Sequence, residues 1–378
     1  MTDKTKTIII LSGVSSSETG GAVNIISHIN LTCDVYKYKV YLMQPGTFKD
    51  KLDSIGIDNI AFNFGSKYNV ACYLRILLSL WGEDGIHCYH THTERICFLF
   101  NPVLRLMGKK VVTTVHRNIS ISSIWKSRFL NFIFVKLENF ALRHFTDGVI
   151  YVSNTLRDQF VKFRNVKTSS AVYKYFPSDP RNDVDVFDGS AVFHEIAKLR
   201  QQGFLIVGTI ARATLEKGLD VLVEQFIEFV KTAGKDYPIA LVVLGETLEN
   251  YLNYFGKDLD LEQVRIIRVN IIFTGLQKNV DDFYRLIDFY FQPSRSESYG
   301  LAVLEASYYG LNIVTSDIEV FRETLSEYSS HHTVKLSESR AIVDIFVKNQ
   351  KTNFLLTKSC YWNKKQIPYI ERDIYTLV

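Results

Sequence analysis

Apolar, β-branched runs recur along the chain with amphipathic stretches between them. The first series is Thr7–Leu11, Lys39–Met43, Gly85–Tyr89, Lys110–Val115 and Gly148–Val152. After a break the pattern restarts with Phe204–Ile210, Pro238–Leu244, Ile271–Thr274, Phe289–Gln292 and Asn312–Thr315. Runs near-continuous in Val and Ile, rather than alternating, predict strands buried on both faces, as in parallel sheets. Their alternation with helical stretches predicts βαβ units and a doubly wound α/β architecture. Two such series predict two Rossmann-like domains.

The break falls near Pro177 to Ser190, where Pro, Asp and Gly concentrate as in a connector. The expected divisions are an N-terminal domain over residues 1–176, a connector over 177–200, a C-terminal domain over 201–355 and a tail over 356–378 that returns toward the N-terminal domain. With 378 residues the chain is long enough for two cores, at roughly 100–200 residues per domain. A formal charge of +4 gives no electrostatic ground for nucleic-acid binding.

Lys4 and Lys6 before the apolar run Thr7–Leu11 invite comparison with a signal peptide, but no small-residue cleavage site follows, and a buried first strand fits better. No run reaches the roughly 18 apolar residues of a membrane-spanning helix. The five cysteines are scattered without a CxxC pair, which favours free thiols and a reducing cytoplasm over disulfides or structural zinc.

The segment with the most chemistry in it is Pro293-Ser-Arg-Ser-Glu-Ser-Tyr-Gly-Leu-Ala-Val-Leu-Glu-Ala, which follows one apolar run and opens a helix, with Ser298 as the expected N-cap. A helix start reached through Ser-Tyr-Gly offers free backbone N–H groups to a phosphate, at Gly300 and Leu301. Glu297 and Glu305 flank that start, and a carboxylate suits the hydroxyls of a sugar. Upstream, Gly208-Thr-Ile-Ala-Arg-Ala-Thr-Leu-Glu-Lys-Gly places Arg212 and Lys217 on another strand-to-helix loop, where two cations can neutralise a diphosphate. For each of these residues the bland alternative is a solvated surface charge or a helix cap.

In order and content these segments resemble the C-terminal domain of GT-B glycosyltransferases, specifically retaining glycosyltransferase family 4 (glycosyl transferases group 1). The resemblance runs from about Phe204 to Leu325 and includes Val243-Leu-Gly245, Phe273-Thr-Gly275 and the Glu-x7-Glu of Glu297 and Glu305. It implies two Rossmann-like doubly wound domains facing across a cleft. It further implies that Arg212 and Lys217 hold the donor diphosphate, Glu297 faces the donor sugar and Glu305 binds the ribose. By the same resemblance, Gly300 and Leu301 touch phosphate, and Leu276 and Gln277 line the base. In the N-terminal half, Gly20-Gly21 resembles the family's first loop, and His116 of Thr113-Thr-Val-His116 resembles the residue that contacts the transferred sugar.

The implied activity is a metal-independent, retaining, hexosyltransferase-like enzyme with a UDP- or GDP-linked sugar as co-substrate and no further cofactor. The implied acceptor is a saccharide or lipid-linked saccharide in cell-surface polysaccharide assembly. An epimerase, a sugar phosphorylase or a non-catalytic nucleotide-sugar-binding relative are the alternatives. The chain departs from the family before the connector, where Val172-Tyr-Lys-Tyr-Phe-Pro177 replaces an Asn-Gly turn.

Three further features call for a reading. His87, His90 and His92 invite a metal site, but no carboxylate stands at ligand spacing. Asp183-Val-Asp185 spells the metal-holding DxD of another transferase fold, yet it lies in the connector and is read as a decoy. Residues 121–144 interleave Trp125, Phe129, Phe132, Phe134 and Phe140 with Lys126, Arg128, Lys136 and Arg143, a pattern that fits either a core helix or one lying in a membrane interface. The second reading places the chain at the inner face of the membrane.

Overall fold

In a computed structural model the chain divides into two compact units, Met1–Tyr175 with Ile367–Val378, and Phe176–Gln366. The structure describes residues 6–17, 20–63, 70–92, 94–116, 128–166, 169–174, 190–233, 238–277, 279–338, 342–345, 369–370 and 375. Asp183, Asp185, Trp125, Lys126, the connector before Ser190 and most of the tail lie outside these residues.

The first unit is an eight-stranded sheet. Its elements are β1 (Lys6–Ser12), α1 (Gly20–Thr32), β2 (Tyr36–Leu42), α2 (Thr47–Ser54), β3 (Asp58–Ala61), α3 (Val70–Trp81), β4 (Ile86–His92) and α4 (Glu94–Leu106). There follow β5 (Val111–Val115), α5 (Arg128–His144), β6 (Gly148–Tyr151), α6 (Asn154–Arg164) and β7 (Ser169–Lys174). The strand order is β14-β7-β6-β5-β4-β1-β2-β3, where β14 (Tyr369–Ile370) comes from the far end of the chain and pairs antiparallel to β7. The other strands pair in parallel. Successive strands move one way from β1 to β3 and the other way from β4 to β7, so right-handed crossovers put α1 and α2 on one face and α3 to α6 on the other. The cores agree: Ile25, Ile29, Phe48 and Leu52 pack with Ile8 and Ile10, while Ile76, Leu80, Phe100 and Leu104 pack with Ile9 and Leu11. Ile8 to Leu11 thus feed both cores in alternation, which is why that run is continuously apolar.

The second unit carries a six-stranded parallel sheet. It comprises α7 (Ala191–Gln201), β8 (Leu205–Ile210), α8 (Leu219–Ala233), β9 (Ile239–Leu244), α9 (Leu248–Phe255), α10 (Leu261–Asn270) and β10 (Ile271–Gly275). The remainder is α11 (Val280–Leu286), β11 (Phe289–Gln292), α12 (Leu301–Tyr308), β12 (Asn312–Ser316), α13 (Glu319–Thr324) and β13 (His331–Val334), in the order β10-β9-β8-β11-β12-β13.

One division differs from expectation. Residues 191–200, read from the sequence as connector, form most of α7, whose Phe193 and Ile196 are buried in the second unit's core. Arg200 binds Asp288 at 3.1 Å and donates to the carbonyl of Arg285. Ser190 caps the helix by accepting from the Phe193 N–H, so this unit begins before residue 201.

Candidate functional site

Each sheet has a switch point where the strand order reverses, between β8 and β11 in the second unit and between β1 and β4 in the first. Ligands of open α/β sheets bind at the carboxyl ends of the strands flanking such a point. In the second unit those ends carry the loops from Ala211 to Gly218 and from Pro293 to Gly300. They meet closely, because Gly218 has φ +67° and a Cβ there would stand 1.8 Å from the Pro293 carbonyl oxygen. Only glycine permits both the angle and the approach.

That approach brings Lys217 and Glu297 together. The Lys217 ammonium lies 2.6 Å from Glu297 Oε1, in a pair only partly open to solvent. Glu297 Oε1 also accepts from Ser294 at 3.0 Å, Ser294 accepts from the Gln292 amide at 2.9 Å, and Gln292 accepts from Tyr290 at 2.7 Å. The Ser294 carbonyl accepts from Ser316. Three donors in series, Tyr290, Gln292 and Ser294, therefore run from the sheet interior to the carboxylate and hold it at a fixed place. Beside them Arg295 makes two parallel bonds to Asp220, at 2.8 and 2.7 Å, and donates to the Leu215 carbonyl. Its backbone N–H donates to the Glu216 carbonyl at 2.8 Å. Arg295 thus staples one loop to the other.

Arg212 leaves the same loop as an exposed side chain, with no ion pair among the described residues. The next loop is tied in by Glu246, which accepts from the Ala213 N–H at 2.5 Å and the Thr247 N–H at 2.9 Å. The Gly275 carbonyl accepts from Gly245 and the Gly275 N–H donates to Glu246, so the loop after β10 joins the same edge. There Gln277 donates to the Thr274 carbonyl at 2.6 Å and Leu276 stands 80% exposed.

The helix α12 starts at Leu301, two residues later than Ser298 as N-cap would place it. Its N-cap is Gly300, at φ +83°, and offers no side-chain bond to the first turn. A Cβ there would lie 2.9 Å from Phe321, so the cap must be glycine. The N–H groups of the first turn, without intrahelical partners, are left for a ligand. Glu305 sits in the second turn with its Oε2 2.9 Å from the Tyr284 hydroxyl, which is also 3.0 Å from the Ala302 carbonyl. Burial pushes the Glu305 carboxyl up to about 7, and burial with the Glu305 charge pushes the Tyr284 phenol well above its ordinary value. Near neutral pH Glu305 therefore exchanges between carboxylate and acid, and in the acid form it can donate to Tyr284.

At the first unit's switch point Gly20 and Gly21 open α1, where a Cβ on Gly21 would approach Val14 at 3.1 Å. His92 ends β4, and its Nδ1 lies 2.9 Å from Nε2 of His116, the residue after β5. The His92 ring lies tilted against that of His90, with centroids 4.2 Å apart, and His90 stands 5.3 Å from His28. The Tyr375 hydroxyl bonds both His28 Nε2, at 2.9 Å, and His90 Nδ1, while Thr114 holds His90 Nε2 at 2.6 Å. Burial lowers the His28 imidazole to about 4 and those of His90 and His92 well below their ordinary value, so the row is neutral at pH 7. His87 bonds the Tyr375 carbonyl at 2.9 Å. Among the described residues no group of three potential metal ligands gathers.

The sequence-based site residues therefore fall into groups. Lys217 and Glu297 are in contact, while Arg212, Gly300, Leu301 and Glu305 occupy the same strand ends or the helix rising from them. Leu276 and Gln277 stand in the loop after β10, a strand separated from β8 by β9. Gly20, Gly21 and His116 belong to the other unit. Asp220, Arg295, Tyr284 and Tyr375 have no role legible from the sequence, because their partners lie 21 to 347 residues away along the chain.

The family model for glycosyl transferases group 1 matches residues 194–348, and that for glycosyltransferase family 4 matches residues 37–172. The O-antigen biosynthesis glycosyltransferase WclY of Escherichia coli is 20% identical over 73% of this chain and 72% of its own length. The lipopolysaccharide core biosynthesis mannosyltransferase LpsB of Rhizobium meliloti is 26% identical over 36% of this chain and 39% of its own length. Among solved structures, Anabaena HepE in complex with UDP and glucose superposes with TM-score 0.72 and 16% identity, over 93% of this chain and 92% of that one. A glycosyltransferase from Rickettsia africae gives TM-score 0.66 and 16% identity, over 95% of this chain and 92% of that one. With both halves matched in order and both sheets of the expected kind, the chain belongs to the family 4 glycosyltransferases (glycosyl transferases group 1) of GT-B fold.

Proposed function

We propose that the chain moves a hexose-type sugar from a nucleotide-diphosphate sugar, UDP- or GDP-linked, to a hydroxyl of a saccharide or lipid-linked saccharide, with retention at the anomeric carbon. The observation that carries this reading is the contact of Lys217 with Glu297 at the second switch point, beside the glycine-capped start of α12. Lys217, Arg212 and the first-turn N–H groups of α12 supply positive charge where a diphosphate leaves, so the residues themselves can serve without a metal ion. The acceptor oxygen attacks the anomeric carbon on the face the phosphate leaves. The bond to phosphate breaks with its electron pair, and the hydroxyl proton passes to the departing phosphate oxygen. Glu297, fixed by Lys217 and Ser294, accepts from the donor sugar's hydroxyls; Glu305 accepts from the ribose, and Leu276 and Gln277 flank the base. His116, held by His92, and the backbone at Gly20 and Gly21 contact the sugar and phosphates.

HepE, of like fold, was solved with UDP and glucose, which supports a nucleotide-sugar donor. The names of WclY and LpsB support a place in O-antigen or lipopolysaccharide assembly.

The experiment is incubation of the chain with UDP- and GDP-sugars, with and without lipid-linked and free saccharide acceptors, in the presence of EDTA. Acceptor-dependent release of nucleoside diphosphate is expected, with an anomeric configuration in the product that matches the donor. Isomerised sugar from donor alone would make it an epimerase, release that depends on inorganic phosphate a phosphorylase, and binding without turnover a non-catalytic relative.

A further inference from the structure

The helices on one face of the first sheet present an unusual outer surface. Among the described side chains of α5, Phe129, Phe132, Ile133, Lys136, Leu137, Phe140, Arg143 and His144 are exposed, with Phe129, Phe132 and Phe140 70%, 59% and 54% exposed. The one acid of α5, Glu138, is buried. At three- and four-residue spacing these positions form a single stripe. The helix α3 has no acid at all, and it exposes Leu74, Arg75, Leu78 and Trp81, with Leu78 and Trp81 73% and 70% exposed. Between them α4 exposes Leu99 and Leu106 and packs against α5. The right-handed crossovers place all three helices on the same side, opposite α1, α2 and the His28–Tyr375 contact.

An ordinary outer helix face carries both signs of charge and few large apolar groups; apolar surface on this scale marks an interaction site. Here the exposed charges of α3 and α5 are all basic and lie among aromatic rings, with the Lys136 ammonium 5.3 Å from the centre of the Phe132 ring. Basic groups match anionic headgroups while Phe, Leu and Trp enter the acyl boundary. No helix among the described residues is long and apolar enough to cross a membrane, so any lipid contact of these helices is lateral. We propose that the outer face of α3, α4 and α5 docks on the surface of a bilayer containing anionic lipid. This docking is independent of the transfer reaction, and it brings the chain to the plane in which a lipid-linked substrate would lie.

The test is co-sedimentation of the full chain with phosphatidylcholine vesicles, with and without phosphatidylglycerol. Binding to the anionic vesicles is expected, weakening as salt is raised from about 0.05 to about 0.5 M. The exposed double substitution Phe132→Ser with Phe140→Ser should weaken it about tenfold or more, and so should Lys136→Glu with Arg75→Glu. Unchanged melting temperatures would show that these surface variants fold. Failure of the native chain to sediment with anionic vesicles at low salt would overturn the proposal, as would binding that survives both double substitutions. Dimerisation through this face, seen by sedimentation velocity, abolished by the Phe substitutions and unaccompanied by vesicle binding, would assign it to a second copy instead.

Discussion

At the switch point of the second sheet stand charges, Lys217 on Glu297 and Arg295 on Asp220, whereas that of the first sheet is lined by the uncharged rings of His28, His90, His92 and Tyr375. The topology of the two sheets is alike, yet the means of holding their loops differ. In the second unit the ion pairs and the contact of Gly218 with Pro293 join loops whose residues lie within about one hundred positions of each other. In the first, Tyr375 comes from the last residues of the chain to bond histidines on α1 and β4. Fixed charges suit a phosphate group, and neutral rings suit a sugar that must be oriented without being ionised. On the proposed function, the difference between the units is one of ligand chemistry as well as of architecture.

The substitution expected to disturb this contrast most is Gly218→Ala. It adds a Cβ to a residue at φ +67°, with the Pro293 oxygen 1.8 Å from its position, so the two loops must separate. A loss of about 2 kcal/mol or more in the second unit is expected, read as faster amide exchange in β8, β11 and α12 with β1 and β4 unaffected. Exchange unchanged in β8 and β11 would show that the loops are not held by this contact.

Tyr375→Phe removes one hydroxyl and leaves its ring packed. Buried His28 and His90 each lose a bond, at a cost of about 1–3 kcal/mol, and exchange should quicken in α1 and β4 alone. Spread of the effect to β8 through β13 would erase the distinction drawn between the units.

The smallest effect concerns Glu305. Its folded-state pKa is raised to about 7, so the folded chain holds this proton more tightly than the unfolded chain does. Stability therefore falls as pH rises from the ordinary carboxyl range through about 7, and the carboxylate costs stability above that. Glu305→Gln should raise the melting temperature at pH 8 by roughly 2–4 °C and leave it unchanged near pH 4.5. An equal rise at both pH values would remove burial of charge as the cause.

What could be read from the sequence follows the same division. Central strands such as Ile8 to Leu11 and Ile239 to Leu244 are buried on both sides and so are continuously apolar, a pattern visible without a structure. The edge strand β3 is Asp-Asn-Ile-Ala and β13 is His-His-Thr-Val; half-exposed edges need no apolar run, and they carry no such signal. Lys217, Glu297 and Gly300 were legible because glycines and a helix start stand beside them in the sequence. Arg295 with Asp220 was not, since 75 residues separate them, nor was Tyr375, which lies 285 residues from His90. Ser298 was misplaced as the cap because a polar residue at a helix start is the commoner device; here Phe321 leaves room for a glycine only. The basic aromatic stretch was ambiguous in sequence, because core and interfacial helices share one periodicity; the exposure of Phe129, Phe132 and Phe140 shows that these three rings are not core.

The most direct test of the account is the acceptor-dependent transfer assay applied to Lys217→Ala and Glu297→Ala beside the native chain. Both variants should keep the native far-ultraviolet circular dichroism and lose transfer by about 100-fold or more, since each removes a charge aimed at the departing diphosphate or the donor sugar. Full transfer in both variants would contradict the assignment of the second switch point as the donor site.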